Sequence, residues 1–496
     1  MNHSKFFCIT ILAFLLLGLN SWYSGQSTLS EDHSPISIEG NDALATFIAT
    51  EGLTGEGTFA SPYIIENFNI DASFGGGIRG NAIEIRSTDA YLIIRDCTIE
   101  DGRANWAAND GIYLSNVKNV EISHNEIINN ICGIELENSN NTVISGNTVN
   151  NNEVGGISLS FSNANTLFQN TVSNNDWGSG ISLSWSNNNI LSGNTAGTND
   201  AEGIYLGSSS NNTLTENIAN NNGYDGIFLS SSSYNTLSGN MASYNSESGL
   251  QMQDSPNTTL SGNTANDNNE YGIYLSQSSN SRLSENIAIR NHYKGIYLGS
   301  SSNNLLSRNT ANDNYDDGIC LGSSSNNILS GNTANDNYDD GIYLSSSSNN
   351  ILSGNTVNDN GNGIYLSSES STNTIYFNHI YGNTDNQGYE EDDCIDNRWD
   401  NGTTGNFWED DYLTNYPSAS NDGTFWDTPY EISGDGSGID RFPLVGSITT
   451  TDTTTTATTT DDIDSDTPGF SLLVAISVGI FLFLRKRKRR RNEIIL

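Results

Sequence analysis

Positive charge is scarce in this chain: Lys and Arg number 19 against 58 Asp and Glu, giving a formal net charge of −39. Seven of the basic residues fall in one run, Arg485–Arg491, so the remainder is more acidic still. Phosphate binding needs clustered cations, and a nucleic-acid partner is excluded on that ground. Cysteine is rare and scattered. Cys8, Cys97, Cys132, Cys320 and Cys394 show no CxxC or Cys/His spacing, which argues against a metal knuckle. They read as small hydrophobic residues; a disulfide joining Cys97 to Cys132 is the alternative, with nothing in the sequence to support it. No window carries a sustained helical stripe. The LxxLxLxxN phrase of a leucine-rich horseshoe is missing, and propeller blades are about twice as long as the repeat described below.

Long apolar runs occur only at the ends. Lys5 followed by Phe6–Leu19 reads as a secretory leader cleaved within 20–26. At the other end a Thr/Asp stretch, Thr449–Asp466, leads into Thr467-Pro468-Gly469-Phe470, an apolar run to Leu484, and the basic run. Positive charge holds that tail in the cytoplasm and places the body outside. The run spans about 22 Å as a helix, short of a hydrocarbon core of about 30 Å. The order of stalk, Pro-Gly-Phe, apolar run and basic tail resembles the PGF-type carboxy-terminal sorting signal of archaeal surface proteins. That resemblance implies removal of the tail by a membrane sorting enzyme and its replacement by a lipid. An ordinary single-pass anchor is the alternative, and either tethers the body to the membrane.

Between Gly111 and Asn383 one pattern recurs twelve times. Its opening glycines are Gly111, Gly133, Gly156, Gly180, Gly203, Gly226, Gly249, Gly272, Gly295, Gly318, Gly341 and Gly363, spaced 22 to 24 residues apart. A column of Asn, from Asn125 through Asn147 to Asn378, keeps the same period, and a second Asn follows each member five residues later. The residue after each Gly is Ile, except Leu250, and two further on stands Leu, except Met252. Leu or Ile precedes each first Asn by three, and a smaller apolar residue, most often Ala, follows it by two. Period-two alternation such as Ile112-Tyr113-Leu114 marks strands. Short strands recurring about every 23 residues fit one coil per repeat, stacked at about 4.8 Å so that like residues align. No coil could bury its four apolar side chains alone; the stack makes one core of aligned columns.

The sequence therefore predicts an all-β chain: a right-handed single-stranded parallel β-helix of about 13–14 coils with a non-repetitive C-terminal cap. Its boundaries are a leader (1–26), an N-terminal cap region (27–62), the coils (63–385), the cap (386–446), the stalk (447–467) and the sorting segment (468–496). The Asn columns read as buried amide ladders. The repeat glycine marks either a positive φ or a close passage of the chain.

The GIxLxxSxxNxLxxN units resemble the NosD-like β-helix family, related to the repeats of carbohydrate-binding and sugar-hydrolysing proteins. The ending is similar too: Trp399-Asp400-Asn401-Gly402, Gly405-Asn406-Phe407-Trp408, Asp427-Thr428-Pro429-Tyr430 and Asp440-Arg441-Phe442-Pro443-Leu444. Within that family, members named for copper handling assist maturation of a copper enzyme. This chain departs from them. Its five His and three Met form no cluster that suits copper.

Three sets of residues could carry chemistry. The residue two after the repeat Gly points outward and is aromatic at Tyr113, Tyr205, Phe228, Tyr274, Tyr297, Tyr343 and Tyr365. Exposed rings stacked one rung apart suit the faces of a polysaccharide, from the cell envelope or the surroundings, although Tyr also simply favours strands. Asp316, Asp317, Asp339 and Asp340 occupy one turn in adjacent coils. Such carboxylates repel unless a hard cation such as Ca²⁺ bridges them, and a solvated acidic turn is the alternative. An enzyme of the lyase or hydrolase type would need paired acids with a base. Glu84 and Glu135 share the outward column two rungs apart, about 9.6 Å, near the upper end of the inverting-glycosidase range. The Arg290, His292 and Lys294 group is less telling, because a shift of 23 sets Arg290 beside Asp267 and Asp313, Lys294 beside Asp317, and Arg308 beside Glu285. The reading favoured is a surface-anchored glycan-binding or coat protein, with a lyase or hydrolase as the alternative.

Overall fold

The computed structural model describes residues 31–74, 80–102 and 109–446. The expected leader, stalk and sorting segment, and most of an insertion at 103–109, lie outside the described residues. The described chain is a parallel β-solenoid. A 15-stranded sheet runs from Ile36–Glu39 to Asn386–Glu390, and a 14-stranded sheet from Tyr63–Glu66 to Thr374–Tyr376. A third face begins with seven strands, thins to single bridges at Ile218, Met241, Thr264, Ile287 and Thr310, and resumes as three strands from Thr333–Asn335. Register follows the repeat, so like residues pair: Ile273 with Ile296, Tyr274 with Tyr297, Leu275 with Leu298. The 14-stranded sheet lies within residues 63–385 and matches the expected 13–14 coils, while the longest sheet gains one further strand at each end, Ile36–Glu39 and Asn386–Glu390, in the two regions read as caps. Neither opens with the Gly-Ile dipeptide of the repeat.

Four apolar columns fill the interior, and their members from Ile112 to Ile380 are buried. The repeat glycines do not sit in the left-handed region. They are sites of close passage: a Cβ on Gly272 would stand 2.6 Å from the Gly295 carbonyl oxygen and 2.7 Å from the Ala288 Cβ. This also accounts for Ala in the facing column. Left-handed geometry falls instead on the residue before each ladder Asn, such as Gly239, Gly262, Glu285 and Arg308.

The ladders form as expected. Asn240 Nδ2 donates to Asn263 Oδ1 at 2.9 Å, and Asn263 Nδ2 to Asn286 Oδ1 at 2.9 Å. The backbone N–H of each member donates to the same oxygen, at 3.0 Å in both cases. The second column does likewise, as in Asn291 Nδ2 to Asn314 Oδ1 at 3.0 Å. A serine column repeats the device at another corner, with Ser301 N–H on Ser324 Oγ at 2.8 Å. Polar groups that would cost stability if buried alone are thus paired from coil to coil. Cys97, Cys132, Cys320 and Cys394 are buried and free, so the Cys97–Cys132 disulfide is not formed.

Both ends of the stack are covered. Helix α1 (Asn41–Thr50) lays Leu44 and Ile48 over the first coil. At the other end Asn406 continues the first ladder, accepting from Asn378 Nδ2 at 2.9 Å. Trp399 and Trp408 are buried beside it. Asp440 accepts from Asn406 N–H at 2.7 Å and Trp408 Nε1 at 2.9 Å, while Arg441 grips Asp400 through two bonds of 2.8 and 2.6 Å. Covered ends keep unpaired strand edges from recruiting other chains. Among the described residues no helix is long and apolar enough to cross a membrane.

Candidate functional site

The outward aromatic column stands on the 15-stranded sheet, where the pleat turns every second side chain away from the core. Tyr205, Phe228, Tyr274, Tyr297, Tyr343 and Tyr365 are all half-buried. Tyr274 and Tyr297 stack with centroids 5.0 Å apart and planes 6° apart. Tyr205 meets Phe228 at 5.7 Å and Tyr343 meets Tyr365 at 5.3 Å, both tilted. The cap adds Tyr389, edge-on to Tyr365 at 4.9 Å. Tyr113 does not belong to this surface. It is only 3 % exposed, with its hydroxyl bonded to Glu137 and the Arg86 guanidinium 4.9 Å above its ring.

The column is broken at Cys320, which pairs in register with Tyr297 on one side and Tyr343 on the other. An open cavity of about 410 Å³ lies there, lined by Tyr274, Tyr297, Tyr343, Cys320, Lys294, Gln277, Gly299, Gly322 and the hydroxyls of Ser276, Ser300, Ser323 and Ser345. Tyr297 leans across Gly322, where an added Cβ would come within 3.0 Å of its hydroxyl. Lys294 Nζ lies 2.6 Å from both Asp316 Oδ2 and Asp317 Oδ2. Burial works against its charge, yet the two carboxylates outweigh burial and hold the ammonium well above its usual range.

This pairing bears on the calcium candidates. Asp316, Asp317 and Asp339 do converge, with one oxygen of each within 4.8 Å of the others. Asp340 takes no part in that group. Its Oδ1 accepts from Asn362 Nδ2 at 2.8 Å. The cation against Asp316 and Asp317 is Lys294, and calcium takes six to eight oxygens. The donor set does not fit a resident calcium ion. The other expected balances form as well: Arg290 on Asp267 through two bonds of 2.8 Å, and Arg308 on Glu285 at 3.3 Å.

Glu84 and Glu135 lie in register on either side of Tyr113, as expected. Buried Tyr113 occupies the rung between them, and Glu84 is ion-paired with Arg86. Arg95, near them in sequence, pairs with Glu66 at 2.6 Å. The space a water would need between two catalytic carboxyls is filled.

Two aromatic sets were missed by the sequence reading. At the turn beside Lys294, His292, Tyr315 and Tyr338 form an exposed stack with successive centroids 5.2 Å apart. Tyr271 joins that turn to the sheet, touching Tyr293, Tyr274 and Tyr297 at 5.7, 4.9 and 5.4 Å. The word Asn-Asp-Asn-Tyr-Asp-Asp-Gly, present at 312–318 and again at 335–341, was the available signal. On another corner Phe161 and Trp185 stack at 6.4 Å, both with φ above +50°.

A parallel β-solenoid whose outward sheet face carries stacked rings is the class these features define. The family model described as "Right handed beta helix region" matches residues 37–196 and 175–305, and the chain belongs to that family. A second model, "Periplasmic copper-binding protein (NosD)", matches residues 264–413. Among the described residues, the one group of three or more His, Cys, Asp or Glu close enough to share an ion is Asp316, Asp317 and Asp339, which contains neither imidazole nor thiol. No curated protein matches the chain. Among solved structures, the A-module of Azotobacter vinelandii mannuronan C-5 epimerase AlgE6 is similar at 16% identity over 61% of this chain and 91% of that one, with a TM-score of 0.47. A periplasmic alginate epimerase AlgG is similar at 16% identity over 68% and 82%, TM-score 0.33, and the Dettilon tailspike protein at 14% over 70% and 66%, TM-score 0.32.

Proposed function

We propose that this chain is an exterior, membrane-tethered β-helix that binds neutral glycan chains along its tyrosine-bearing sheet. The observation that carries the reading is the row of half-buried rings held in register on the longest sheet, continuous from Tyr343 to Tyr389 and from Tyr274 to Tyr297. Each ring offers one shallow apolar contact. A polymer lying along the row sums such contacts through effective concentration, so no single one needs to be tight. Charge selects the ligand class. The one cation lining the cavity is already bonded to two carboxylates, and the body is strongly acidic, so an acidic polymer meets repulsion. The charge asymmetry of the ends supports an outside location, with sequons at Asn140, Asn211, Asn257 and Asn401 open to glycosylation.

The test is a glycan array with the full chain in mild detergent, followed by product analysis on each hit. Binding of neutral polymers that weakens about tenfold when Tyr343 and Tyr365 become Ala, with the polymer left intact, supports the reading. New reducing ends or unsaturated sugars would hand the case to an enzyme. Binding to nothing would leave a coat protein without a ligand. Protease added to intact cells should remove the body, and its survival would refute the outside location.

A further inference from the structure

From Tyr274 to Tyr389 the outward column carries a ring on every rung but one, and the exception is Cys320. The rings on either side, Tyr297 and Tyr343, stand two rungs apart, about 9.6 Å. A flat ring placed midway lies about 4.8 Å from each. That matches the spacing the protein uses for its own neighbours in the column, 5.0 Å between Tyr274 and Tyr297 and 5.3 Å between Tyr343 and Tyr365. The cavity of about 410 Å³ reaches Cys320 only at its floor, where that residue is buried and Tyr297 leans across Gly322; its size is within the range of about 300–1,000 Å³ typical of small-molecule sites. Its glycines, Gly299 and Gly322, withhold side chains where most coils carry Ser, and its serine hydroxyls offer donors and acceptors around the rim.

We infer that the gap at Cys320 is a sugar subsite, in which one neutral hexopyranose ring inserts between Tyr297 and Tyr343 and takes the place of the missing tyrosine. The inference rests on the glycan-binding reading above and names its strongest point of contact. The two apolar faces of a pyranose suit two aromatic walls, and its equatorial hydroxyls meet the serine rim. A carboxylate- or sulfate-bearing sugar is disfavoured, because Lys294 is committed to Asp316 and Asp317 and Asp339 lies beside them. The slot also anchors the polymer, since the neighbouring rings continue along the sheet in both directions.

Cys320→Tyr tests this directly, because it completes the column with the residue the chain uses on the flanking rungs. Its ring can stack on Tyr297 as Tyr297 stacks on Tyr274. The full chain in mild detergent is titrated calorimetrically with cellotetraose, mannotetraose and maltotetraose, with tetragalacturonate as the acidic comparison. The expected result is binding of at least one neutral tetrasaccharide by the wild type and a loss of tenfold or more in Cys320→Tyr at an unchanged or higher melting temperature. Should Cys320→Tyr fail to fold, Tyr343→Ala removes one wall and is expected to lose the same tenfold. Neutral-sugar binding that survives Cys320→Tyr intact overturns the subsite while leaving the wider row standing. Preference for tetragalacturonate overturns the neutral class. Absence of binding to any member, in an array-negative protein, overturns subsite and row together.

Discussion

Replacing one interior rung of the first ladder, Asn263→Ala, probes what holds the coils in register. Asn263 is fully buried. Its Nδ2 donates to Leu237 O at 3.0 Å and Asn286 Oδ1 at 2.9 Å, and its Oδ1 accepts from Asn240 N–H at 3.0 Å and Asn240 Nδ2 at 2.9 Å. Alanine removes all four bonds. Asn240 Nδ2 keeps Leu214 O, and Asn286 Oδ1 keeps the Asn263 N–H, but the buried Asn240 N–H loses the acceptor it has here. An orphaned buried donor costs about 1–3 kcal/mol, and each of the other three lost bonds about 1 kcal/mol net, for a total of about 4–6 kcal/mol. Asn263→Asp keeps the shape yet turns oxygen toward oxygen at Asn286 and buries a charge, so it should cost at least as much at neutral pH. Asn303→Gly is the control: an exposed left-handed turn residue outside the ladder, expected to change stability by less than about 0.5 kcal/mol. Urea unfolding reports the total, and hydrogen exchange reports the place. The Asn240 amide should exchange at least tenfold faster, while coils near Asn147 keep their rates because each coil is coupled to its neighbours alone. If Asn263→Ala unfolds within about 0.5 kcal/mol of the wild type with unchanged exchange at Asn240, the amide column is not what aligns the coils.

Gly272→Ala should destabilise by about 1–3 kcal/mol, read as a fall in the urea midpoint, because its Cβ would stand 2.6 Å from a backbone oxygen that cannot rotate away. Asp225 is buried, and burial, aided by Glu247, Glu202 and Glu270, pushes its carboxyl up to about 8. The folded state therefore holds a proton that the unfolded chain releases near pH 4, so this group's contribution is present at low pH and is lost as pH rises from about 4 to about 8, by up to about 6 kcal/mol. Asp225→Asn keeps an acceptor for the Ser248 N–H and should show a smaller drop in melting temperature between pH 5 and pH 8.5 than the wild type; equal drops refute the assignment.

The architecture was legible because periodicity is a strong signal: four apolar columns and two Asn columns on one clock leave few folds to consider. Roles within the period were harder. Glycine is needed here for close passage, which depends on a chain segment one coil away, and the left-handed position fell one residue before each Asn. The caps carry no period, so the strands Ile36–Glu39 and Asn386–Glu390 gave no signal in the sequence. Alternation correctly set Tyr205 through Tyr365 on the outer face. It could not show that Arg86 and Glu137 cover Tyr113, because burial of an outward residue depends on side chains from adjacent coils. The Lys294–Asp317 pair was readable by shifting the sequence one repeat. The cavity was not, since it arises from what position 320 lacks relative to its neighbours.

The first ladder has a direction. Every amide from Asn125 to Asn378 presents its oxygen to the coil before and its NH₂ to the coil after. Side-chain amides aligned head to tail add their dipoles as peptide groups do along a helix, and each bond polarises the next. The solenoid thus carries an electrical polarity along its length, negative at the α1 end and positive at the cap. The cap places the buried carboxylate of Asp440 against the last member, on the Asn406 N–H. Inserting or deleting a whole coil would lengthen or shorten that dipole while leaving Asp440 in place on the last member, so the number of coils can change without redesign of the cap.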